Sequence, residues 1–307
     1  MNIFDFARGQ VAVVNVSLHG DPHDPRSLAA AALLLGDLER GWAPHVEVLG
    51  VDEAEVGLDG VAVGEIASIA LDPASGGLAV HARSPGGRMR LDLAAFAAAP
   101  PIIAERPTPF GSGWLAWRAI PRLNVTGWLS VDGVTRPGDA TVMYHDHNWG
   151  RWHWGDDAGW EWAAFLAAEG DAFVTTRTTD RNHETGGTTL HGVAAGRSFA
   201  FEPRTVRMRL EGRQETAPKR APGAMAALHS GRARPQLPSS VVLVADDGYD
   251  RVEIAASLAH AAQIVVAEPA QPGYAFIHEL LGTFAHRSLI RGVETTGQGL
   301  VAFEYVD

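Results

Sequence analysis

Residues 114–170 read WLAWRAIPRLNVTGWLSVDGVTRPGDATVMYHDHNWGRWHWGDDAGWEWAAFLAAEG, and eight of the nine tryptophans of the chain lie between Trp114 and Trp162. Within this stretch, residues 124–134 read as a strand closing on Asp132-Gly133, a dipeptide that favours the left-handed backbone of a tight hairpin. Residues 160–166, if extended, place Trp160, Trp162, Ala164 and Leu166 on one face. Between these two strands WGRWHWGDDAG interrupts the alternation, so a boundary between units is expected at residues 150–159.

Working outward, the same pattern of short strands and turn chemistry continues on both sides. Residues 11–18 are rich in β-branched side chains, and Gly, Pro and Asp clusters at 59–64 and 73–77 punctuate further short apolar runs. Toward the C-terminus, residues 173–179, 188–194, 199–202, 205–210, 241–245, 251–257, 262–267, 275–281, 288–293 and 300–306 all read as strands. Residues 212–239, rich in Arg, Pro and Ala, break the rhythm and are expected to form a long loop with one short helix. The best helix candidate is 29–39, with Ser27 as its cap. More than a dozen strands with few helical periods imply an all-β fold of barrels or sandwiches. About 300 residues is too many for one small barrel, so two consecutive β domains are expected, 1–155 and 156–307.

Composition narrows the chemistry. The 307 residues include no cysteine, which removes disulfides, thiolate metal sites and cysteine nucleophiles. Net charge is −11, and Lys219 is the only lysine beside 24 arginines. So acidic a chain argues against a nucleic-acid partner. The start MNIFDFARGQ has no secretory-signal pattern, and the apolar runs 28–35 and 93–104 fall short of the ~18 residues of a membrane span. A soluble, cytoplasmic protein is expected. Loose association with a membrane surface stays open, although no basic amphipathic helix advertises it, and the oligomeric state is not set by the sequence. Neither a G-x-S-x-G elbow, a P-loop nor a strand-to-helix G-x-G-x-x-G occurs.

The chemistry-bearing segment is Tyr144-His145-Asp146-His147-Asn148-Trp149-Gly150. On an extended strand Tyr144, Asp146 and Asn148 share one face, and His145, His147 and Trp149 the other. A carboxyl group desolvated by aromatic walls stays protonated near neutral pH and can donate that proton. The alternative is an architectural Asp locked in a network with Arg, Tyr or His. Trp114, Trp117, Trp128, Trp149, Trp160 and Trp162 are candidates to line a cavity, since an indole face is non-nucleophilic and stabilises a desolvated cation by ~2 kcal/mol. Core packing is the simpler role for any single one of them. His145-x-His147, with His153 and Asp156 or Asp157, is a weakly specific metal spacing. Arg118 and Arg122 flank the segment and could hold an oxyanion or the Asp146 carboxylate. His278-Glu279 could reach the domain interface as a second acid–base pair. Glu161 alternates away from the neighbouring tryptophans, toward the outside or an arginine, and HGDPHDP at 19–25 reads as a surface turn.

YHDHNWG, preceded by NVTGWLSVDG and followed by GWEWAAFLAAEGDAF, resembles the signature of the hydroxyneurosporene synthase (carotenoid 1,2-hydratase) and AttH-like family. The ending GVETTGQGLVAFEYV is also similar to the closing strands of that family. The match covers about residues 115–172, with weaker support at 272–306. This resemblance implies two tandem lipocalin-like antiparallel β-barrels with few short helices. It also implies a hydrophobic small-molecule substrate, often polyunsaturated, and no cofactor. Alkene hydration and cyclisation, including Diels–Alder reactions, are the activities it brings with it. On the matching positions Asp146 is the expected proton donor, with His145, His147 and Asn148 beside it. In a pericyclic reaction Asp146, His147 or Tyr144 would only polarise a carbonyl, and the cavity would act by holding the reacting ends together. A lipocalin-like carrier without chemistry is the non-enzymatic alternative.

Overall fold

In a computed structural model, which describes residues 1–103, 107–222, 236–267 and 273–307, the chain folds into two consecutive barrel-like β-sheets. Among the described residues helical structure is limited to four 3-10 turns. No described helix is long and apolar enough to cross a membrane.

The first sheet begins with β1 (Asn2–Asp5), β2 (Gln10–His19), β3 (Leu28–Asp37) and β4 (Gly41–Gly50). It continues through β5 (Ala54–Val56), β6 (Gly60–Val63), β7 (Ala67–Asp72), β8 (Gly77–Arg83) and β9 (Met89–Ala97). The short β10 (Ile102–Ile103) and β11 (Thr108–Phe110) precede the long β12 (Gly113–Val131), then β13 (Val134–Pro137) and β14 (Val142–Arg151). The strand order is β4-β3-β2-β1-β14-β12-β9-β8-β7-β6-β5, with β10, β11 and β13 attached to β12.

The second sheet comprises β15 (Gly159–Ala167), β16 (Ala172–Thr179), β17 (Thr189–Ala194), β18 (Arg197–Phe201) and β19 (Val206–Glu211). It is completed by β20 (Lys219–Arg220), β21 (Ser240–Asp246), β22 (Arg251–Ala267), β23 (Tyr274–Ile290) and β24 (Val293–Val306). Its order is β18-β17-β16-β15-β24-β23-β22-β21-β19, and β20 lies parallel to β22. The chain therefore leaves the first sheet after Arg151 and enters the second at Gly159, across the segment where the sequence alternation breaks.

Alternation along each strand sorts side chains into three cores. Val14, Leu33, Leu93, Leu123 and Met143 fill the first barrel, and Phe165, Phe173, Leu280 and Phe303 the second. A third cluster lies between the sheets, where Phe4, Val13, Leu34, Trp42 and Tyr144 pack on Ala164, Leu166, Val174, Leu281 and Ala302. Each large apolar side chain buried there contributes roughly 1.5–3 kcal/mol. Trp42 also crosses the seam, its Nε1 donating to the His260 carbonyl at 3.2 Å. Gly36 makes room for that ring, since a Cβ there would lie 2.9 Å from Trp42 Cζ3.

One sequence expectation is corrected. Residues 29–39, expected as a helix, lie mainly in strand β3, paired with β2 and β4. The Ala- and Leu-rich composition favours a helix locally. Here, however, Ala29, Ala31, Leu33 and Leu35 are buried in the first barrel while Ala32 and Leu34 are buried in the seam. A strand buried on both faces reads as a continuous apolar run, which periodicity does not separate from a helix. The short helix expected within 212–239 cannot be placed throughout that range, because 223–235 lie outside the described residues. The described part carries the short strand β20. The hairpin at Asp132-Gly133 forms as expected, with φ of 50° and 81°.

Candidate active site at the seam between the sheets

Trp162 of β15 stands opposite Glu304 of β24, and Glu304 opposite Glu279 of β23. Cross-strand partners share a face, so these three side chains form one row on the side of the second sheet that packs on the first. Facing them is β14, held between β1 and β12, which presents Tyr144 and Asp146. The indole Nε1 of Trp162 donates to the Tyr144 hydroxyl at 3.1 Å, and the two rings lie 5.0 Å apart. The indole of Trp160 donates to Glu304. Asn148 donates to Asp146 at 3.2 Å, and the Met1 α-amino group lies 4.0 Å from the same carboxylate.

Burial sets the protonation of this cluster. Glu279 is buried, and desolvation raises its carboxyl well above the ordinary range. The charge of Glu304, the hydrogen bond between the two carboxyls, and Asp146 raise it further. Glu304 is also raised by burial, but the donors Trp160 and Glu279 oppose that shift. Desolvation raises both carboxyl groups, so this dry, hydrogen-bonded pair favours holding a proton between them. The Oε2 atom of Glu279 is buried with no hydrogen-bond partner. Tyr144 is fully buried, and desolvation, then the nearby Asp146 charge, push its phenol well above its usual value, so it stays neutral.

The motif of β14 is divided between two faces, as period two requires. Tyr144, Asp146 and Asn148 face the seam. His145 and His147 lie on the other face, with Ile120 and Arg118 as their cross-strand partners. Burial first, then the charges of the α-amino group, His147 and Arg118, lower His145 to about 3, leaving a neutral ring whose Nδ1 is buried without a partner. His147 is lowered by burial and by Arg118. Arg118 Nη2 sits 3.5 Å from His147 Nδ1, and Arg122 donates to the Ala167 carbonyl at 2.8 Å. Among the described residues neither arginine pairs with Asp146, contrary to one option left open by the sequence.

The tryptophans do not converge on one cavity. Trp160 and Trp162 belong to the acid row, and Trp117 is partly buried against His191, ring centroids 5.7 Å apart. Trp114, Trp128 and Trp149 are 38%, 40% and 40% exposed. Trp152 and Trp154, with Phe110, pack edge-on or tilted beside Trp160 around a pocket of about 10 Å³, the space of a single water. A larger cleft of about 580 Å³ lies further along β23 and β24, where Phe6, Leu38, Glu169, Thr283 and Gln298 are among its walls and no tryptophan contributes.

Other sequence candidates take structural places. Asp156 accepts from the Ser112 N–H and hydroxyl, both at 2.8 Å, and from the His153 N–H at 3.1 Å. Among the described residues no group of three or more His, Asp or Glu side chains is arranged to hold a metal. The adjacent His278 and Glu279 are separated by the strand pleat. Glu279 reaches the seam, while His278 is buried on the opposite face, 3.7 Å from Asp307. Glu161 points into the second barrel rather than outward, bonded to Arg177 and, at 2.7 Å, to His183. The residue that motif reading passed over is Glu304. Its signal was a lone acid in LVAFEYV, at the same parity as Leu300, Ala302 and Val306.

Fold and site together define a double β-barrel protein with a buried carboxyl pair at the seam. No family sequence model matches the chain, and no curated protein matches it by sequence. Solved structures do share its fold. A candidate AttH protein from Nitrosomonas europaea superposes with a TM-score of 0.68 at 14% identity, covering 98% of this chain and 89% of that one. Kievitone hydratase from Nectria haematococca gives 0.63 at 15% identity, covering 99% and 87%. CghA, solved with Sch210972, gives 0.53 at 12% identity, covering 97% and 88%. The chain thus has the AttH-like fold that its central motif resembles.

Proposed function

We propose that the chain is a hydratase or cyclase for a hydrophobic, unsaturated small molecule, with the Glu279–Glu304 pair as its proton source. The observation that carries this reading is the buried Glu279–Glu304 pair, facing Asp146 and Tyr144 in a row that includes Trp162. A carboxyl group held away from water keeps its proton near neutral pH and can donate it to an alkene bound against it. Glu279 would transfer its O–H proton to one alkene carbon, forming a C–H bond with the π electron pair and leaving a cation on the other carbon. Donation leaves Glu279 as a second carboxylate beside that of Glu304, whose charge the Trp160 N–H holds, and the new cation on the substrate lies against both. In hydration, water attacks the cation and loses its proton to a carboxylate, Asp146 or the pair itself. In cyclisation, a second double bond of the substrate attacks instead, and the final proton returns to the same carboxylates. Positioned acid catalysis of this kind contributes roughly 10²–10⁴ in rate.

The fold shared with a protein named as a hydratase supports this reading. The test is to incubate purified protein with a panel of polyenes, isoprenoids and prenylated phenols in D₂O and follow the products by mass spectrometry. Deuterium in a hydrated or cyclised product, lost in Glu279→Gln, is the expected result. A cyclised product free of solvent deuterium would point to a pericyclic reaction, and recovery of bound but unchanged ligand to a carrier. Either result overturns the acid mechanism.

A further inference from the structure

The ends of β12 and β14 run beyond their neighbours β1 and β9. Pairing Trp114↔Arg151, Ala116↔Trp149, Arg118↔His147 and Ile120↔His145 places these eight side chains on one face, opposite to the one that carries Asp146 and Asn148. Ile103, opposite Arg118 on β10, joins this face. At its outer end Ile103, Trp114 and Trp149 are 64%, 38% and 40% exposed. At its inner end Ile120 packs against the core of the first barrel.

We propose that this ribbon face binds the carboxylate head of an amphiphilic small molecule, with the apolar tail lying along the exposed indoles. Among the described residues no position on the face carries an acid, in a chain whose net charge is −11. Among the described residues no carboxylate pairs with Arg118 or Arg151. The Arg118 guanidinium lies 6.0 Å from the Trp149 ring centroid, which holds its charge over an apolar surface. His147 Nδ1, 3.5 Å from Arg118 Nη2, can only accept there, so its neutral ring carries the proton on Nε2. Guanidinium and imidazole N–H groups then stand side by side as donors for one carboxylate, with two indoles adjacent for an alkyl chain. The occupant is a single amphiphile rather than an anionic bilayer. Attraction to two arginines acts over about 10 Å, whereas a bilayer would meet the net negative charge of the whole molecule. The site is distinct from the seam and does not depend on the reaction proposed there.

The test is isothermal titration of the full chain with decanoate, decanol and inorganic phosphate, together with sedimentation on phosphatidylglycerol vesicles. Decanoate is expected to bind about tenfold or more tighter than decanol, and phosphate more weakly than decanoate. Arg118→Gln should remove the preference for decanoate over decanol, and Trp149→Ala should weaken both. Both positions are exposed, and unchanged circular dichroism checks that each variant is folded. Equal binding of decanoate and decanol, or decanoate binding indifferent to Arg118→Gln, overturns the proposal. Vesicle binding without decanoate binding overturns it in favour of a membrane surface.

Discussion

Glu279→Gln should make the protein more stable at neutral pH and remove part of its pH dependence. The amide keeps the shape of the side chain and can still donate a hydrogen bond to Glu304, but it carries no titrating proton. In the wild type burial, the Glu304 charge and the bond to Glu304 raise Glu279, so the folded state holds its proton to higher pH than the unfolded chain does. Between those two values the folded state binds more protons, and stability falls as pH rises. Stability from this group is therefore fully present below the unfolded value, near 4.5, and is lost as pH climbs through the folded value. While Glu279 stays protonated in the folded state, the loss relative to the Gln variant is about 1.4 kcal/mol per pH unit. Urea unfolding of both proteins at pH 5, 6, 7 and 8 measures it, and the difference between them cancels the titrating groups outside the Glu279–Glu304 pair. Parallel stability profiles over this range would show that Glu279 ionises as an ordinary carboxylate, and the argument for a buried acid would fail.

Three further perturbations probe the same framework. Trp162→Phe deletes the donor to the fully buried Tyr144 hydroxyl and should cost about 1–3 kcal/mol in denaturant unfolding. A much smaller loss in a Tyr144→Phe background is expected, and equal losses in both backgrounds would mean that the hydrogen bond contributes nothing. His145, held at about 3, should show no titration of its ring resonances between pH 8 and 5, and a midpoint near 6.5 would contradict its burial. Because its folded value is depressed, the stability it contributes is present above pH 6.5 and is lost as pH falls toward about 3. Gly133→Ala should cost about 1–2 kcal/mol, because φ is 81° and a Cβ there touches nothing, which leaves backbone strain as the whole effect. A neutral substitution would mean that the hairpin relaxes freely.

The face on which each motif residue lies was legible in the sequence, because strand periodicity is local. Trp160, Trp162, Ala164 and Leu166 share a face as the alternation requires, and Tyr144, Asp146 and Asn148 separate from His145 and His147. The Asp132-Gly133 turn was legible for the same reason, its backbone demand being met by two residues. Strand β3 was not. Its Ala- and Leu-rich run satisfies a helix locally, and only burial against two different cores makes it a strand.

By itself, then, the sequence determined the all-β class and the placement of an acid among aromatic side chains on β14. Tertiary structure decided which acids are buried together. The pairing of β24 with both β15 and β23 brings Glu304 beside Trp162 and Glu279, and docking of the two sheets sets this row against Tyr144 and Asp146. Strand order and sheet docking arise from contacts between residues far apart in the chain, which a period of two does not encode. Desolvation, which raises Glu279 and Tyr144 and lowers His145, exists only once those contacts have closed.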